Sequence, residues 1–233
     1  MTNREMTPED ILARLLYRDG LMLVIDKPPG LSVHRGPKGG TGLEDYFDLL
    51  RFGLPRMPAL AHRLDKDTSG CLVLGRHRKA LASLGLLFKQ RKVGKTYWAV
   101  VEGGPIEDEG RIDLALGKLD DTRGWWMKPD PNGQPAETVW KVMGRADKMT
   151  WLALEPLTGR THQLRVHCAE MGFPVVGDNI YGSAPRIGGP PLHLLSREVV
   201  VPIYKNKDAI KVTAPVPAHM RARLAACGWH GAH

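Results

Sequence analysis

The stretch AHRLDKDTSGCLVL, residues 61–74, decides how this chain is read. Its first half packs His62, Arg63, Asp65, Lys66 and Asp67 into a charged cluster. Thr68, Ser69 and Gly70 then offer a turn, and Cys71 to Leu74 form a short apolar run suited to a buried strand. A charged turn leading into a buried strand is a suitable place for a catalytic loop. An acid set among fixed cations is suited to act as nucleophile or base. Two other readings compete. In one, Asp65 and Asp67 only cap the turn. In the other, Asp65, Asp67 and Thr68 spell the DxDxT signature of a magnesium-dependent aspartyl phosphotransferase. That signature requires an apolar strand running straight into its first Asp, whereas here His62 and Arg63 interrupt the approach and the apolar run follows the acids.

Working outward, Leu21 to Ile25 reads as a strand stopped by Lys27, Pro28, Pro29 and Gly30. Arg78 to Lys92 carries Leu81, Leu84, Leu87 and Phe88 at helical spacing and predicts an amphipathic helix. Lys95 to Val101 returns to strand. Ala136 to Met143 and Met149 to Leu154 predict a hairpin through the polar residues 144–148, and a Gly/Pro-rich stretch of weaker pattern separates it from Val101. Between Arg160 and Met171, Leu164, Cys168 and Met171 predict a helix that Thr158 caps and Gly172 ends. Leu192 to Val201 and Ile210 to Ala214 complete the strands, and Pro217 to Cys227 predicts a closing helix. The expected class is α+β, a mixed and mainly antiparallel central sheet flanked by helices, with a cleft along the sheet.

The chain has 233 residues, 42% of them hydrophobic and 25% charged, enough for one sizeable core. No repeat or low-complexity linker divides it, so one domain over 1–233 is expected. A formal charge of +8 favours a polyanionic partner, although many basic proteins carry such charge for solubility alone. Cys71, Cys168 and Cys227 show no paired spacing, which predicts neither a disulfide framework nor a zinc module and fits a reducing cytoplasm. The start MTNREMTPEDILARLLYRDG lacks the apolar core of a secretory signal, and no apolar run approaches membrane-spanning length.

His62, Arg63, Leu64, Asp65, Thr68, Ser69 and Gly70 match the HRLDxxTSG motif at every specified position. The segment thus resembles the pseudouridine synthases of the large-subunit rRNA and tRNA type, the RluA family. GKTYWAVVEG, from Gly94, and LTGRTHQLRVHCAEMGFPVVGDNIYG, from Leu157, resemble two further segments of that family, and LYRDGLMLVIDKPPGLSVH resembles its opening. The likeness runs from about residue 16 to 217. A preceding S4-type RNA-binding domain, common in relatives, is missing from this reading. One departure falls after Pro191-Leu192-His193, where Leu194 and later Val201-Pro202 replace the usual Ala and His-Pro. It puts the pocket contacts of that strand in doubt, including any contact of Leu192 with the base.

By resemblance, Asp65 is the catalytic carboxylate, Tyr97 stacks on the target base and Arg165 pairs with Asp65; because the base must be extruded from the RNA, a positive cleft on the phosphates is expected, with Arg63 near the RNA backbone. Tyr97 read without the family is an ordinary half-buried strand aromatic. Strand alternation places Tyr97 and Ala99 on one face and Trp98 on the other. Arg160, Gln163 and His167 read as a basic, solvated helix face that can also touch phosphates. His162 and His167, five apart, do not stack two ligands, so no metal is expected. The implied reaction converts uridine to pseudouridine in tRNA, in large-subunit (23S-type) rRNA, or in both. It breaks the bond from ribose C1′ to uracil N1 and joins C5 to C1′, and it needs no cofactor. Asp65 can attack C1′, attack C6, or remove the 2′ proton to give a glycal, the last being the favoured route. A monomer without an obligate protein partner is expected. The alternative of another class is an RNA-binding module that keeps the fold without the chemistry.

Overall fold

A computed structural model describes residues 7–35, 40–120 and 125–231. Two compact units make up the chain, one from the residues up to Gly94 together with Glu198–Ala214, the other from Lys95–Arg197 together with the residues from Pro215 onward.

The first unit opens with α1 (Pro8–Leu12), which Thr7 and Asp10 close with a reciprocal capping box. β1 (Leu15–Arg18) and β2 (Met22–Lys27) follow, then a 3-10 helix (Leu43–Leu50), β3 (Ala59–Leu60), β4 (Ser69–Gly75) and α2 (Arg78–Lys89). β2 pairs antiparallel with β1 on one side and β4 on the other, from Met22 opposite Gly75 to Lys27 opposite Gly70. Met22 to Ile25 and Cys71 to Leu74 are wholly buried, which is why both strands are continuous apolar runs without alternation. α2 buries Ala80 and Leu84, and the His77 ring accepts a hydrogen bond from Ala80 N at its start. Gly75 permits that packing, because a Cβ there would lie 2.8 Å from Leu81 Cα.

The second unit contains β5 (Gly94–Glu102), β6 (Glu109–Asp113), β7 (Leu116–Lys118), β8 (Met127–Pro129), β9 (Glu137–Ala146), β10 (Met149–Pro156) and α3 (Gln163–Glu170). β10 pairs antiparallel with β5 and β9, β9 also with β6, and β7 with β8. β11 (Leu194–Val201) begins in this unit and ends in the first, where it pairs with β12 (Ile210–Thr213); α4 (Ala218–Ala226) returns to the second. The fold is α+β with a mainly antiparallel sheet.

Several elements differ from the sequence expectation. The β9–β10 hairpin turns on Asp147 and Lys148 alone, and a bulge between Trp151 and Leu152 absorbs the residues beyond Met143 into the strand. Pairing on β10 there outweighs the turn preference of Gly144. The Gly/Pro-rich stretch supplies β6, β7 and β8, short strands with little alternation to announce them. The 3-10 helix and α1 are also additional. Among the described residues no helix is long and apolar enough to cross a membrane.

Candidate active site

The charged cluster of residues 62–67 forms a loop rather than the end of a strand. β3 stops at Leu60, so no apolar strand runs into Asp65, which removes the geometric basis of the phosphotransferase reading. Thr68 N donates to Asp65 O at 3.2 Å to close the turn. Leu64, Thr68 and Ser69 are buried beneath it, Asp65 is half-buried and Arg63 is exposed. Gly70, the second residue of β4, sits at φ 102° in a region closed to most side chains. The His62 ring accepts Val73 N at 3.0 Å and stacks on Phe88 with centroids 4.6 Å apart, tying the loop to β4 and α2.

Lys27 holds the same loop from the other side. Its side chain is 0% exposed, and its Nζ donates to the carbonyl oxygens of Pro28, Leu31 and Lys66, each at 2.8 Å. Three N–H donors meet three acceptors, which is the full capacity of an ammonium. Gly30 N donates to the same Lys66 carbonyl at 3.0 Å. Burial draws the Lys27 pKa down to about 7, while the negative charges of Asp67, Asp65 and Asp26 act in the opposite sense. The Lys-Pro turn after β2 and the acidic loop before β4 are thereby fastened together beside Asp65. In the sequence Lys27 reads only as part of a turn. The available signal was its position directly after a wholly apolar strand.

In the second unit, Tyr97 lies on β5 opposite Leu154 and is buried to the same degree as core residues, with Ala99 buried next along its face. Trp98 is half-buried, packed edge-on against Trp151 and covered by Arg197 at 4.5 Å.

Arg165 is 3% exposed and makes a two-pronged ion pair with Asp178, Nε to Oδ2 and Nη2 to Oδ1, both at 2.7 Å. Oδ1 also accepts the backbone N–H groups of Ile180 and Tyr181. These bonds and the Arg165 charge hold the Asp178 pKa below its usual value despite burial. The guanidinium sits 5.3 Å from the centroid of the Tyr181 ring. Asp178 was legible as a motif member but had no role in the sequence reading. It is the residue that orients Arg165.

The expected solvated face of α3 is corrected by the structure. Gln163 and His167 are buried, and only Arg160 is half open. Gln163 Nε2 donates to Glu137 O and Thr138 Oγ1, while its Oε1 accepts Thr158 Oγ1 and Arg160 N. His167 donates from Nε2 to Leu114 O and faces Thr138 Oγ1 through Nδ1, and burial lowers its pKa. Thr158 does not cap the helix, because its hydroxyl is taken by Gln163 and Glu137 N. The helix starts instead from His162, in the left-handed region at φ 52°, and ends at Gly172 as expected, with Phe173 N reaching back to Cys168 O. Among the described residues no three of His, Cys, Asp and Glu gather as a metal site.

Comparison with known proteins now decides the family. The model of the RNA pseudouridylate synthase family matches residues 21–170, well over half of the chain. The chain belongs to the RNA pseudouridine synthases. An RNA pseudouridine synthase of Zymomonas mobilis is 42% identical over 208 residues, covering 88% of this chain and 94% of that protein. The ribosomal large subunit pseudouridine synthase C of Buchnera aphidicola is 37% identical over 174 residues, 74% of this chain and 55% of that one. Among solved structures, human RNA pseudouridylate synthase domain containing 4 superposes with a TM-score of 0.78 at 26% identity, over 94% of this chain and 95% of that one. This synthase is therefore an isomerase acting on RNA, and the α+β fold read from its sequence is the fold of its relatives.

Proposed function

We propose that this synthase isomerises uridine in large-subunit rRNA, with tRNA as a further substrate class, and that Asp65 is its catalytic carboxylate. The observation that carries the assignment is the support built around one loop. His62, Lys27 and Gly30 each bind a fixed backbone partner there, so that the half-buried Asp65 is presented on a rigid base. A residue that merely capped a turn would not need a buried lysine beneath it. The relatives named for the large ribosomal subunit support rRNA as the substrate.

In the reaction the bond from C1′ to N1 breaks, the uracil turns while bound, C5 joins C1′, and the C5 hydrogen leaves as a proton. On the glycal route Asp65 removes the 2′ proton as the C1′–N1 bond breaks and returns it to C2′ as C5 joins C1′, and N1 takes up a proton as the C5 proton leaves, so no atom or electron is gained or lost. Tyr97 supplies the flat surface on which an extruded uracil regains the stacking it lost. Arg165, its fork already oriented by Asp178, supplies the positive partner of Asp65, and Arg63 lies near the RNA backbone. The chain acts as a single catalytic domain, without a cofactor. The protein works as a monomer in the cytoplasm, a compartment suited to its three buried free thiols.

The test is Asp65→Asn with RNA containing C5-tritiated uridine. Tritium release falls below detection while RNA affinity stays within about threefold of the parent, since phosphate contacts by cations, which Asp65 does not make, dominate binding. Turnover that persists in this variant would remove Asp65 from the chemistry.

A further inference from the structure

The second unit carries an aromatic group that the reaction does not use. Trp125 is 55% exposed, and it is the only aromatic among the large hydrophobic side chains left exposed in the described residues. An indole in water forgoes a large burial gain, so its position calls for a reason. Among the described residues its ring neighbours do not cover it: Trp126 lies at 5.7 Å and 74°, His162 at 5.6 Å and 78°, so neither ring lies flat on it.

The support beneath Trp125 is firm. Trp126 O accepts Leu119 N at 2.7 Å across the β7–β8 pair, and Met127 N donates to the Tyr181 hydroxyl at 2.9 Å. Met127 and Tyr181 pack on the buried cluster of Leu116, Ala136 and Val166. The same Tyr181 hydroxyl meets His162 Nδ1 at 2.8 Å, and its ring lies by Arg165. A continuous set of ring contacts therefore leads from Trp125 through His162 and Tyr181 to the Arg165 guanidinium. The rim is cationic, with Arg186 exposed at 5.4 Å from the Trp126 ring and Lys128 exposed on β8.

An open indole face on a fixed base, flanked by cations, in a chain of charge +8, is the chemistry that holds an unpaired nucleobase and its phosphates. We propose that Trp125 is a stacking platform for an unpaired nucleobase that flanks the target uridine in the bound RNA. This rests on the reading of the chain as an RNA-modifying enzyme. The target base occupies the catalytic residues, and Trp125 holds a neighbour outside the stack, so its contribution is to substrate affinity and site choice and not to the chemical step.

The test compares Trp125→Ala and Trp125→Phe with the parent on unmodified large-subunit rRNA transcript, reading tritium release, and on a fluorescent oligouridylate, reading affinity. Trp125→Ala raises KM and the oligouridylate Kd about tenfold to a hundredfold and leaves kcat within about twofold. Trp125→Phe restores most of the affinity, because a smaller ring still stacks. The salt dependence of binding keeps its slope in Trp125→Ala and becomes shallower in Lys128→Gln, since only the latter removes a phosphate contact. In the parent, replacing the nucleotides around the target one at a time by abasic sites finds one position that reproduces the Ala effect, and that position has no effect in Trp125→Ala. Unchanged KM and Kd in Trp125→Ala with normal parent turnover overturn the platform. Absence of parent turnover on every uridine-containing RNA overturns the enzymatic reading beneath it. A fall in kcat alone, with KM unchanged, also overturns the platform and makes Trp125 a support for His162.

Discussion

The ammonium of Lys27 donates to the carbonyl oxygen of Lys66 at 2.8 Å, and Lys66 is the residue immediately after Asp65. A side chain at the end of β2 thus fixes the backbone next to the proposed catalytic carboxylate. The link spans two loops that are far apart in sequence and brought together by the pairing of Lys27 with Gly70.

Replacing Lys27 by Met keeps the length and apolar stem but takes the ammonium donor from the Pro28 and Leu31 carbonyls and leaves the Lys66 carbonyl with Gly30 N alone. We expect a stability loss of about 2–4 kcal/mol, from unsatisfied acceptors each costing about 1–3 kcal/mol with partial relaxation. Turnover should drop by at least about a hundredfold, because misplacement of a reacting group by ~1 Å has that effect. Urea unfolding and single-turnover tritium release measure the two. A variant as active as the parent would show that the loop holds its shape without the lysine.

The Arg165–Asp178 pair makes a second prediction. With side chains 3% and 0% exposed, truncating either partner strands a buried charge. Asp178→Ala should cost about 3–5 kcal/mol. Part of that loss comes from the orphaned N–H groups of Ile180 and Tyr181. Arg165→Lys should fail to restore the parent's stability, since an ammonium cannot reproduce the two parallel bonds. Thermal melting of the three proteins tests both statements, and equal melting of the Lys variant and the parent would contradict the second.

His193 predicts an acid-labile fold. Its Nδ1 donates to Pro191 O at 2.8 Å, Arg223 Nη1 donates to its Nε2 at 3.1 Å, and His219 lies edge-on at 5.2 Å. Burial, with the nearby Arg223 and His219 charges, pulls its pKa from 6.5 down to about 4. Above pH 6.5 the ring is neutral in folded and unfolded chains and stability does not depend on it. As the pH falls from there to about 4, the unfolded chain takes up a proton that the folded one refuses. Stability therefore declines over that window by up to about 1.4 kcal/mol per pH unit and levels off below it. His193→Gln should flatten the decline measured by urea midpoints at roughly pH 7.5 and 4.5. His167 and His219, also lowered, leave a residual slope of the same sign.

Much of this protein is written in its local sequence. The apolar runs of β2 and β4, the helical spacing of α2 and the Gly172 stop of α3 report short-range sterics and burial, which need no knowledge of distant residues. The HRLDxxTSG string likewise singles out Asp65 as the proposed reacting acid, because its acid, its turn and the strand behind it stand in fixed local order. Contacts between remote segments decided the rest. That Gln163 and His167 face a buried polar network rather than water depends on Thr138 and Glu137 of β9 arriving beside α3. That Asp178 grips Arg165 depends on the chain folding back after Gly172. The role of Lys27 depends on two turns meeting at one end of a strand pair. A hydrogen-bond donor in the sequence has no acceptor until the fold supplies one, and a charge becomes buried only when other elements cover it. The acid proposed to react is picked out by the motif, whereas the rigidity with which its loop is held is a property of the tertiary structure.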